Sequence, residues 1–185
     1  MATTDDVLPG LPRVGLRPVE QADLALLSRW DEDPVIGALM GRRFADLSPA
    51  EWLEEVRHSR NSRVWMIEWE GRAVGEVELA QVNRRAGTAE VRICVGEQAL
   101  WGRGIGTAAM SALLNEAFVV MGLETVYLRV FTTNLRAIGL YERLGFRREG
   151  LLAPSSRRAD PAPVLLMNLS RSRWLARKRR EPALC

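Results

Sequence analysis

Strict alternation of apolar and polar residues dominates the middle of the chain. In Thr88–Val95, every second residue from Ala89 onward is apolar, while the residues between them are mostly charged. Such a period of two indicates a β-strand with one buried face. The segments that predict strands in this region are Arg63–Trp69, Ala73–Leu79 and Thr88–Val95. Because short polar turns separate them, we expect an antiparallel meander.

Other segments place apolar residues every three or four positions, which is typical of helices that pack on a core. These segments are Gln21–Trp30, Ser48–His58, Gly104–Met121 and Leu135–Leu144. The start of the second is well defined. Ser48 can accept a hydrogen bond from the amide of Glu51, the Glu51 side chain can bond back, and Pro49 suits the first helical position.

The remaining strand candidates complete the predicted architecture. They are Val14–Val19, Thr125–Phe131, Phe146–Leu151 and Val164–Leu169. The predicted order is β-α-α-β-β-β-α-β-α-β-β, with an antiparallel meander first and alternating strands and helices later. This order predicts an α/β sandwich in which helices flank a mixed sheet.

Length and charge suggest one domain with a basic end. The 185 residues suffice for a single domain, and we place it at residues 13–170, after a loose leader at residues 1–12. Residues 171–185 hold six basic residues and one acidic residue, so the remainder has a net charge of −2. We interpret this basic tail as a frayed, solvated end with weak affinity for nucleic acid or the ribosome.

The chain start and the apolar runs favour a cytoplasmic protein. No apolar run approaches the ~20 residues of a membrane span, and Met1–Gly10 lacks the pattern of a signal peptide. Two cysteines and one histidine cannot form a usual zinc site, so we expect no metal. We interpret Cys94 as a small buried hydrophobe and His58 as a surface residue.

A glycine-rich turn carries the strongest chemical signal. Gly102, Gly104 and Gly106 lie between a strand that ends at Val95 and the start of a predicted helix. Backbone amides at a helix start, together with the positive end of the helix dipole, favour an anion such as a pyrophosphate. The spacing fits neither a Walker loop nor a dinucleotide fingerprint. A tight turn that needs positive φ is the structural alternative.

A second motif makes the first one specific. The segment Asn134–Phe146 resembles motif B of the GNAT N-acetyltransferases, and the glycine turn resembles their motif A. Both occur in the family's order, and the resemblance is clear over Arg63–Glu149 and looser over Val14–His58. Trp101 stands where many members have Gln or Arg. In this feature the sequence is similar to a subgroup of the family that includes ribosomal-protein alanine, polyamine and aminoglycoside 6′-acetyltransferases.

The resemblance implies a fold, a cosubstrate and a set of site residues. The fold would be a mostly antiparallel sheet of six to seven strands that splays between strands 4 and 5, and the cosubstrate would be acetyl-CoA. Backbone amides would hold its pyrophosphate, strand 4 would pair with its pantetheine arm, and a tyrosine would protonate the leaving thiolate. The implied residues, in that order, are Arg103, Gly104, Ile105, Gly106 and Thr107, then Cys94, Val95 and Asn134, and finally Tyr141.

The catalytic base is a separate question, because a protonated amine cannot attack the thioester. Glu90 is our first choice, since it starts the strand beside the expected cofactor cleft. Glu76 and Glu78 share one face of the neighbouring strand and stay open as alternatives. For all three, a solvated or salt-bridged strand face is the structural alternative.

The acceptor amine is the least defined part of the prediction. The family builds its acceptor pocket from the first helices and last strands, here Asp31–Arg43 and Ala153–Pro163. The acids Asp31, Glu32, Asp33 and Asp46 could recognise a cation there or simply be solvated. We favour direct attack by a protein N-terminus in a ternary complex. The alternatives are a polyamine or aminoglycoside acceptor, or a CoA-binding module without turnover. The family also implies a homodimer.

Overall fold

The computed structural model describes residues 10–40, 44, 46–152 and 163–180, and its strands form a single seven-stranded sheet. The strands are β1 Gly15–Pro18, β2 Arg63–Trp69, β3 Arg72–Asn83, β4 Thr88–Val95, β5 Thr125–Phe131, β6 Arg147–Leu152 and β7 Val164–Ser170. Their spatial order is β1-β2-β3-β4-β5-β7-β6. Every neighbouring pair is antiparallel except β4 and β5, so the predicted fold class is confirmed.

Six helices flank this sheet in the described ranges. They are α1 Leu24–Glu32, α2 Pro34–Met40, α3 Pro49–His58, α4 Ile105–Asn115, α5 Leu135–Leu144 and α6 Arg171–Arg180. Short 3-10 turns at Gln21–Asp23 and Gln98–Leu100 precede α1 and α4, and a π turn at Glu116–Val120 follows α4. None of the helices described is long and apolar enough to cross a membrane.

The sheet opens between β4 and β5, as the family resemblance implied. Only three residue pairs join the two strands: Thr88 with Thr125, Ala89 with Val126 and Glu90 with Tyr127. Beyond them the strands diverge. The predicted splay is therefore confirmed, and it leaves a wedge between the ends of β4 and β5.

The helices pack on both faces of the sheet. The larger core lies under α4 and α5, where Met110, Leu113 and Leu114 are fully buried. The smaller core lies under α1–α3 and includes Trp30 and Cys94. Because helices cover both faces of the sheet, β3 carries buried residues on each side, which is the burial pattern of a central strand.

Two glycines let other groups approach the end of β4 very closely. At Gly75, an added Cβ would overlap the carbonyl oxygen of Cys94 on the next strand. At Gly96, it would overlap the indole ring of Trp30 from α1. Both positions therefore require glycine, and together they fix where β4 ends.

The structure adds a helix that the periodicity did not predict. α2 has only seven residues, too few for a clear amphipathic pattern. Its start is nevertheless capped. The Asp33 carboxylate accepts hydrogen bonds from the amides of Val35 (2.8 Å) and Ile36 (3.1 Å), and Pro34 needs no partner there. Asp33 was predicted as a cation-recognition or solvated residue, and its observed role is helix capping.

The prediction of a frayed C-terminal end is wrong for residues 171–180. These residues form α6, and Trp174 is fully buried in the larger core. The helix continues directly from β7, and the amide of Arg171 donates to the carbonyl of Glu124 at 2.9 Å. One large aromatic anchor thus holds a helix that is otherwise strongly basic. The domain boundary predicted at residue 170 is not tested by this packing and stays a prediction.

Candidate active site

The glycine turn forms a left-handed cap on α4. Gly104 is the residue before the helix and has φ +82°, and Gly102 has the same φ. The first hydrogen bond of the helix runs from the amide of Ala108 to the carbonyl of Gly104 at 2.9 Å. The amides of Ile105, Gly106 and Thr107 precede it and have no acceptor within the helix. This is the amide cluster predicted to bind an anion.

A cleft of about 610 Å³ begins at this amide cluster. The end of β4, the glycine turn and the start of α5 line it, and α2 closes one side with Ile36, Leu39 and Met40. It brings together most of the predicted site residues, namely Cys94, Val95, Gly104, Ile105, Gly106, Thr107, Asn134 and Tyr141. Arg103 is exposed and Glu90 is buried elsewhere, and neither is among the lining residues.

Gly106 allows the start of α4 to lie close to the wall of the cleft. A Cβ at this position would lie 3.2 Å from Leu140 Cδ1 on α5 and 3.6 Å from Val95 Cγ2 on β4. A larger side chain would fill the space in front of the helix amides. The glycine therefore keeps a cradle open in which backbone N–H groups meet a phosphate without steric obstruction.

Asn134 caps the second helix of the site. Its side-chain oxygen accepts a hydrogen bond from the amide of Ala137 at 3.2 Å. The oxygen is thus used within the protein, and the side-chain nitrogen is the group that can donate to a ligand. The capping also fixes the start of α5, which carries Tyr141.

Tyr141 lies in the cleft with its ring almost completely buried. Its relative exposure is 7%, and its ring centroid is 5.7 Å from that of Phe146. Burial, and to a smaller extent the nearby Cys94, raise the pKa of Tyr141 well above its usual value. The hydroxyl therefore stays protonated at neutral pH and can act as a proton donor.

Trp101 and Arg136 face each other at the mouth of the cleft. The indole N–H of Trp101 donates to the carbonyl of Val95 at 2.7 Å, which ties the glycine turn to the end of β4. The guanidinium of Arg136 lies 4.6 Å from the centre of the Trp101 ring, a cation–π contact. Sequence reasoning missed Arg136, because its position in the motif resemblance is a variable one.

The structure does not bring Glu90 into the cleft. It is 3% exposed in the paired part of β4, where Arg129 donates to both its carboxylate oxygens (3.0 and 2.9 Å) and Arg92 donates at 3.1 Å. Burial acts to raise the pKa of Glu90, but the hydrogen bonds from Arg129 and Arg92 outweigh it and keep the pKa below its ordinary range. A base must reach the acceptor amine. The role of Glu90 as base therefore stays a prediction without geometric support.

Glu76 and Glu78 are the two alternative carboxylates on the neighbouring strand. Glu76 lies nearer the cleft, and Glu78 already accepts a hydrogen bond. Glu76 is buried on β3, and its register partner across the sheet is Cys94, which lines the cleft. Glu78 lies two residues further along, where Ser62 donates to it at 2.8 Å. Asp31 is buried, whereas Glu32 and Asp46 are exposed. Glu76 is thus the buried carboxylate closest along the strands to the predicted thioester.

The structure also gives the positions of His58, the acceptor-pocket segments and the possible metal ligands. His58 is exposed on α3, as predicted. Of the segments predicted to form the acceptor pocket, residues 41–43 and 153–162 lie outside the described residues. No group of three or more histidine, cysteine, aspartate or glutamate side chains is arranged to hold a metal ion in the described part of the chain.

Comparison with known families decides the assignment of this cleft. The model of the acetyltransferase (GNAT) domain matches residues 13–147, which span the sheet from β1 and both motifs. The chain belongs to the GNAT acetyltransferases. As a GNAT enzyme it is an acyl-CoA-dependent N-acyltransferase with acetyl-CoA as its cosubstrate, and the open cradle at Gly106 fits a pyrophosphate.

Two curated relatives are named as spermidine N(1)-acetyltransferases. The chain is 30% identical over 155 residues to spermidine N(1)-acetyltransferase of Escherichia coli K12, covering 78% of each protein. It is 28% identical over 148 residues to the Vibrio cholerae spermidine N(1)-acetyltransferase, covering 74% of this chain and 80% of that one.

Solved structures agree with the fold. A crystal structure of spermidine N-acetyltransferase from Vibrio cholerae in complex with CoA and spermine has a TM-score of 0.80 at 24% identity, covering 88% of this chain and 98% of that one. A chimera of the Vibrio cholerae enzyme and hSSAT has a TM-score of 0.77 at 26% identity, with the same coverage.

Proposed function

We propose that this GNAT enzyme transfers the acetyl group of acetyl-CoA to a primary amine of a polyamine of the spermidine class. The observation that carries this proposal is the 30% identity to the Escherichia coli spermidine N(1)-acetyltransferase over 155 residues. The sequence alone favoured a protein N-terminus as acceptor. The relatives support the polyamine alternative better, because both curated enzymes described above act on spermidine by name.

The end of the cleft beside the glycine turn binds the anionic part of the cosubstrate in this proposal. In our proposal the amides of Ile105, Gly106 and Thr107 bind the pyrophosphate at the positive end of α4. Cys94 and Val95 pair through their backbone with the pantetheine arm, which runs into the wedge between β4 and β5. The Val95 carbonyl already accepts from Trp101, but a carbonyl oxygen has a second lone pair for the arm.

Tyr141 completes the reaction in this proposal. The acceptor nitrogen attacks the thioester carbon, a C–N bond forms and the C–S bond breaks. The amine gives up one proton to water as the amide forms, the leaving thiolate takes one from the Tyr141 hydroxyl, and water returns a proton to the tyrosinate. A backbone N–H at the end of β4 stabilises the negative charge on the carbonyl oxygen. The position of Tyr141 in the lining of the cleft, beside Cys94 and Val95, supports its role as the acid.

Buried carboxylates support recognition of a cationic acceptor. Glu76 and Glu78 lie under α1–α3, on the sheet face that also carries Cys94. A polyamine carries several ammonium groups, and a carboxylate at low dielectric binds such a group strongly once it is paired. We assign Glu76 to the ammonium group beside the reacting amine. Sequence reasoning ranked this residue below Glu90.

A panel of acceptors tests the proposed function. The enzyme would be mixed with acetyl-CoA and, separately, spermidine, spermine, an aminoglycoside and a peptide with an N-terminal alanine, while release of the CoA thiol is measured. We expect kcat/KM for spermidine to exceed that for the peptide by about 100-fold, which corresponds to about 2.7 kcal/mol of transition-state binding. Faster turnover of the peptide would overturn the polyamine assignment. No thiol release with any amine would favour a CoA-binding module.

The assembly state is proposed in the same way. A Vibrio cholerae neighbour is described as a dodecameric spermidine N-acetyltransferase, with a TM-score of 0.76 at 24% identity. We propose that this chain also forms a homo-oligomer, and light scattering on the purified protein would measure its size. Contact of the basic C-terminal end with nucleic acid or the ribosome stays a prediction, since none of the relatives described above carries such a function in its name.

A further inference from the structure

A second groove lies at the opposite end of the central strands from the acetyl-CoA cleft. Its volume is about 1020 Å³, and it runs between the loop after α3 and the last residues of β3. Its described lining residues include Ser59, Arg60, Arg63, Gln81, Arg84 and Arg92. None of them lines the acetyl-CoA cleft. We call this feature the arginine groove.

The arginine groove is strongly cationic. Four of its described lining residues are arginines, and none is an aspartate or glutamate. Arg92 pairs with Glu90 at 3.1 Å and with Glu78 at 3.5 Å, and Arg63 pairs more distantly with Glu116 at 3.9 Å. Arg60 and Arg84 have no ion-pair partner among the described residues. Two guanidinium groups are therefore available for an anion.

The floor of the groove contains a strained residue. Gln81 has φ +50°, a left-handed conformation that is unusual for a residue with a side chain, and it sits in an irregularity of the β3–β4 register. The hydroxyl of Tyr127 donates to its side-chain oxygen at 3.0 Å. The Gln81 nitrogen then remains as a donor. Bulges that redirect a side chain are enriched beside functional sites, and strain of this kind is found where binding groups are held in place.

The loop that forms the other wall is also fixed. The amide of Val82 donates to the carbonyl of Asn61 at 2.8 Å, and the hydroxyl of Ser59 accepts from the amide of Ser62 at 2.9 Å. One backbone and one side-chain hydrogen bond therefore fix this wall of the arginine groove. The Ser62 hydroxyl already donates to Glu78, which leaves the Ser59 hydroxyl and the side-chain amides as groups that suit the oxygen atoms of a phosphate.

We propose that the arginine groove binds a small polyphosphate, of the size of a nucleoside triphosphate, at a site separate from the acetyl-CoA cleft. Guanidinium groups bind phosphate oxygens in pairs, and Arg60 and Arg84 offer two such groups. The volume suits a ligand of nucleotide size. A small ligand is favoured over single-stranded RNA, because no aromatic residue among the described lining residues offers a surface on which bases could stack.

Calorimetric titration of the intact enzyme with tripolyphosphate and with ATP tests this inference. Saturating CoA is present throughout, so that the acetyl-CoA cleft is filled. The test variant is Arg60→Gln with Arg84→Gln. The matched control is Arg72→Gln with Arg147→Gln, which removes the same charge from exposed positions outside both sites. We expect both probes to bind the wild type and the control equally, and to bind the test variant about tenfold more weakly.

The other outcomes would overturn the inference. An equal loss in the control would indicate non-specific attraction to a basic surface. Absence of saturable binding to the wild type with CoA present would indicate no second site. Tighter binding of an RNA 12-mer than of ATP, lost in the same test variant, would assign the groove to RNA. Acceptor specificity is measured separately, so failure here leaves the polyamine proposal untouched.

Discussion

Tyr141 links a local sequence motif to a proposed chemical step through its position in the cleft. The motif predicts a tyrosine on the helix after strand 5, and the structure buries that side chain in the cleft. Burial keeps the hydroxyl protonated far above neutral pH. A single residue thus acquires its proposed function from the packing of α5, which Asn134 caps and Phe146 supports.

Replacing Tyr141 with phenylalanine tests this role directly. The Tyr141→Phe variant keeps the ring and its packing but removes the proton donor. We expect kcat to fall about 100-fold, which lies within the range for general-acid catalysis. Steady-state kinetics would measure kcat, and calorimetry would measure affinity for CoA, which we expect to change by less than about twofold. Unchanged kcat would remove the tyrosine from the mechanism.

At the residue scale, the sequence predicts which residues belong to a motif better than it predicts the distances between side chains in the fold. It identified the glycine turn, Asn134 and Tyr141, because each is part of a contiguous motif. The role of Glu90 as base stays a prediction, because strand alternation tells which face a side chain occupies but not how far along two diverging strands the cleft begins. Arg136 was missed for the related reason that its contact with Trp101 joins α5 to the glycine turn, two segments far apart in the sequence.

Among the elements, α4 shows how a helix start becomes a binding site. Gly104 has a left-handed backbone conformation with φ +82°. It packs closely against Pro12, since an added Cβ would lie 3.1 Å from Pro12 Cδ. Gly122 ends the same helical segment with a similar φ of +68°, but it has open space around it. The two glycines therefore share a backbone requirement and differ in their surroundings.

This difference gives a matched pair of variants. Gly104→Ala and Gly122→Ala should each cost about 1–2 kcal/mol of stability, because alanine is strained at positive φ. Only Gly104→Ala should also raise the KM for acetyl-CoA, by about tenfold, because it displaces the amides of Ile105 and Gly106. Thermal unfolding and steady-state kinetics would measure the two effects. An equal rise in KM for both variants would indicate a general structural effect instead.

The element α6 illustrates the limit of periodicity. Its ten residues include six basic side chains, so the composition indicates a solvated end. Trp174 is fully buried and anchors the helix, and Leu175 packs against the same core. Pattern methods need several apolar positions to detect a helix. One anchor residue inside a basic segment is therefore invisible to them, although it is decisive for packing.

The packing of α6 has a measurable consequence. Trp174→Ala should lower the free energy of unfolding by about 3–5 kcal/mol, because it leaves a large cavity in the core. Arg179→Gln, on the exposed side of the same helix, should change it by less than about 0.5 kcal/mol. Urea denaturation of both variants would measure the values. A loss below about 1 kcal/mol for Trp174→Ala would mean that α6 is only loosely attached.

For the molecule as a whole, Glu90 connects the two halves of the sheet. It belongs to β4, and it receives two hydrogen bonds from Arg129 on β5 just where the strands begin to diverge. Because its pKa is lowered in the folded protein, its contribution to stability is present above its ordinary pKa of about 4.3 and is lost as the pH falls through the lower folded value. The junction should therefore weaken in acid.

The Glu90→Gln variant separates this structural role from catalysis. We expect it to lose about 2 kcal/mol of stability at pH 7, less than a fully buried pair because both arginines remain partly exposed. The difference from the wild type should shrink as the pH is lowered from 5 to 3 in urea denaturation. The acidic limb of the pH–rate profile should be unchanged. Its disappearance would restore Glu90 as the base.

The sheet architecture was the most predictable part of the molecule. Strand alternation and the order of elements were enough for the mixed α/β class, and the motif resemblance added the splay between β4 and β5. The acceptor side was not predictable in this way. In our proposal it involves α2, which is too short for a periodic signal, and Glu76, which is paired with Cys94 only through the register of β3 and β4.

The short junction between β4 and β5 leaves a seam in the middle of the sheet. Past Glu90 and Tyr127, the facing edges of these strands have no strand partner among the described residues, so most of their backbone groups are left to solvent in the free enzyme. A ligand with amides of its own can close this seam and replace that water. Folded protein would then accumulate at the expense of unfolded chains whenever acetyl-CoA is plentiful, so the supply of the acetyl donor would also govern how long the enzyme survives in the cell.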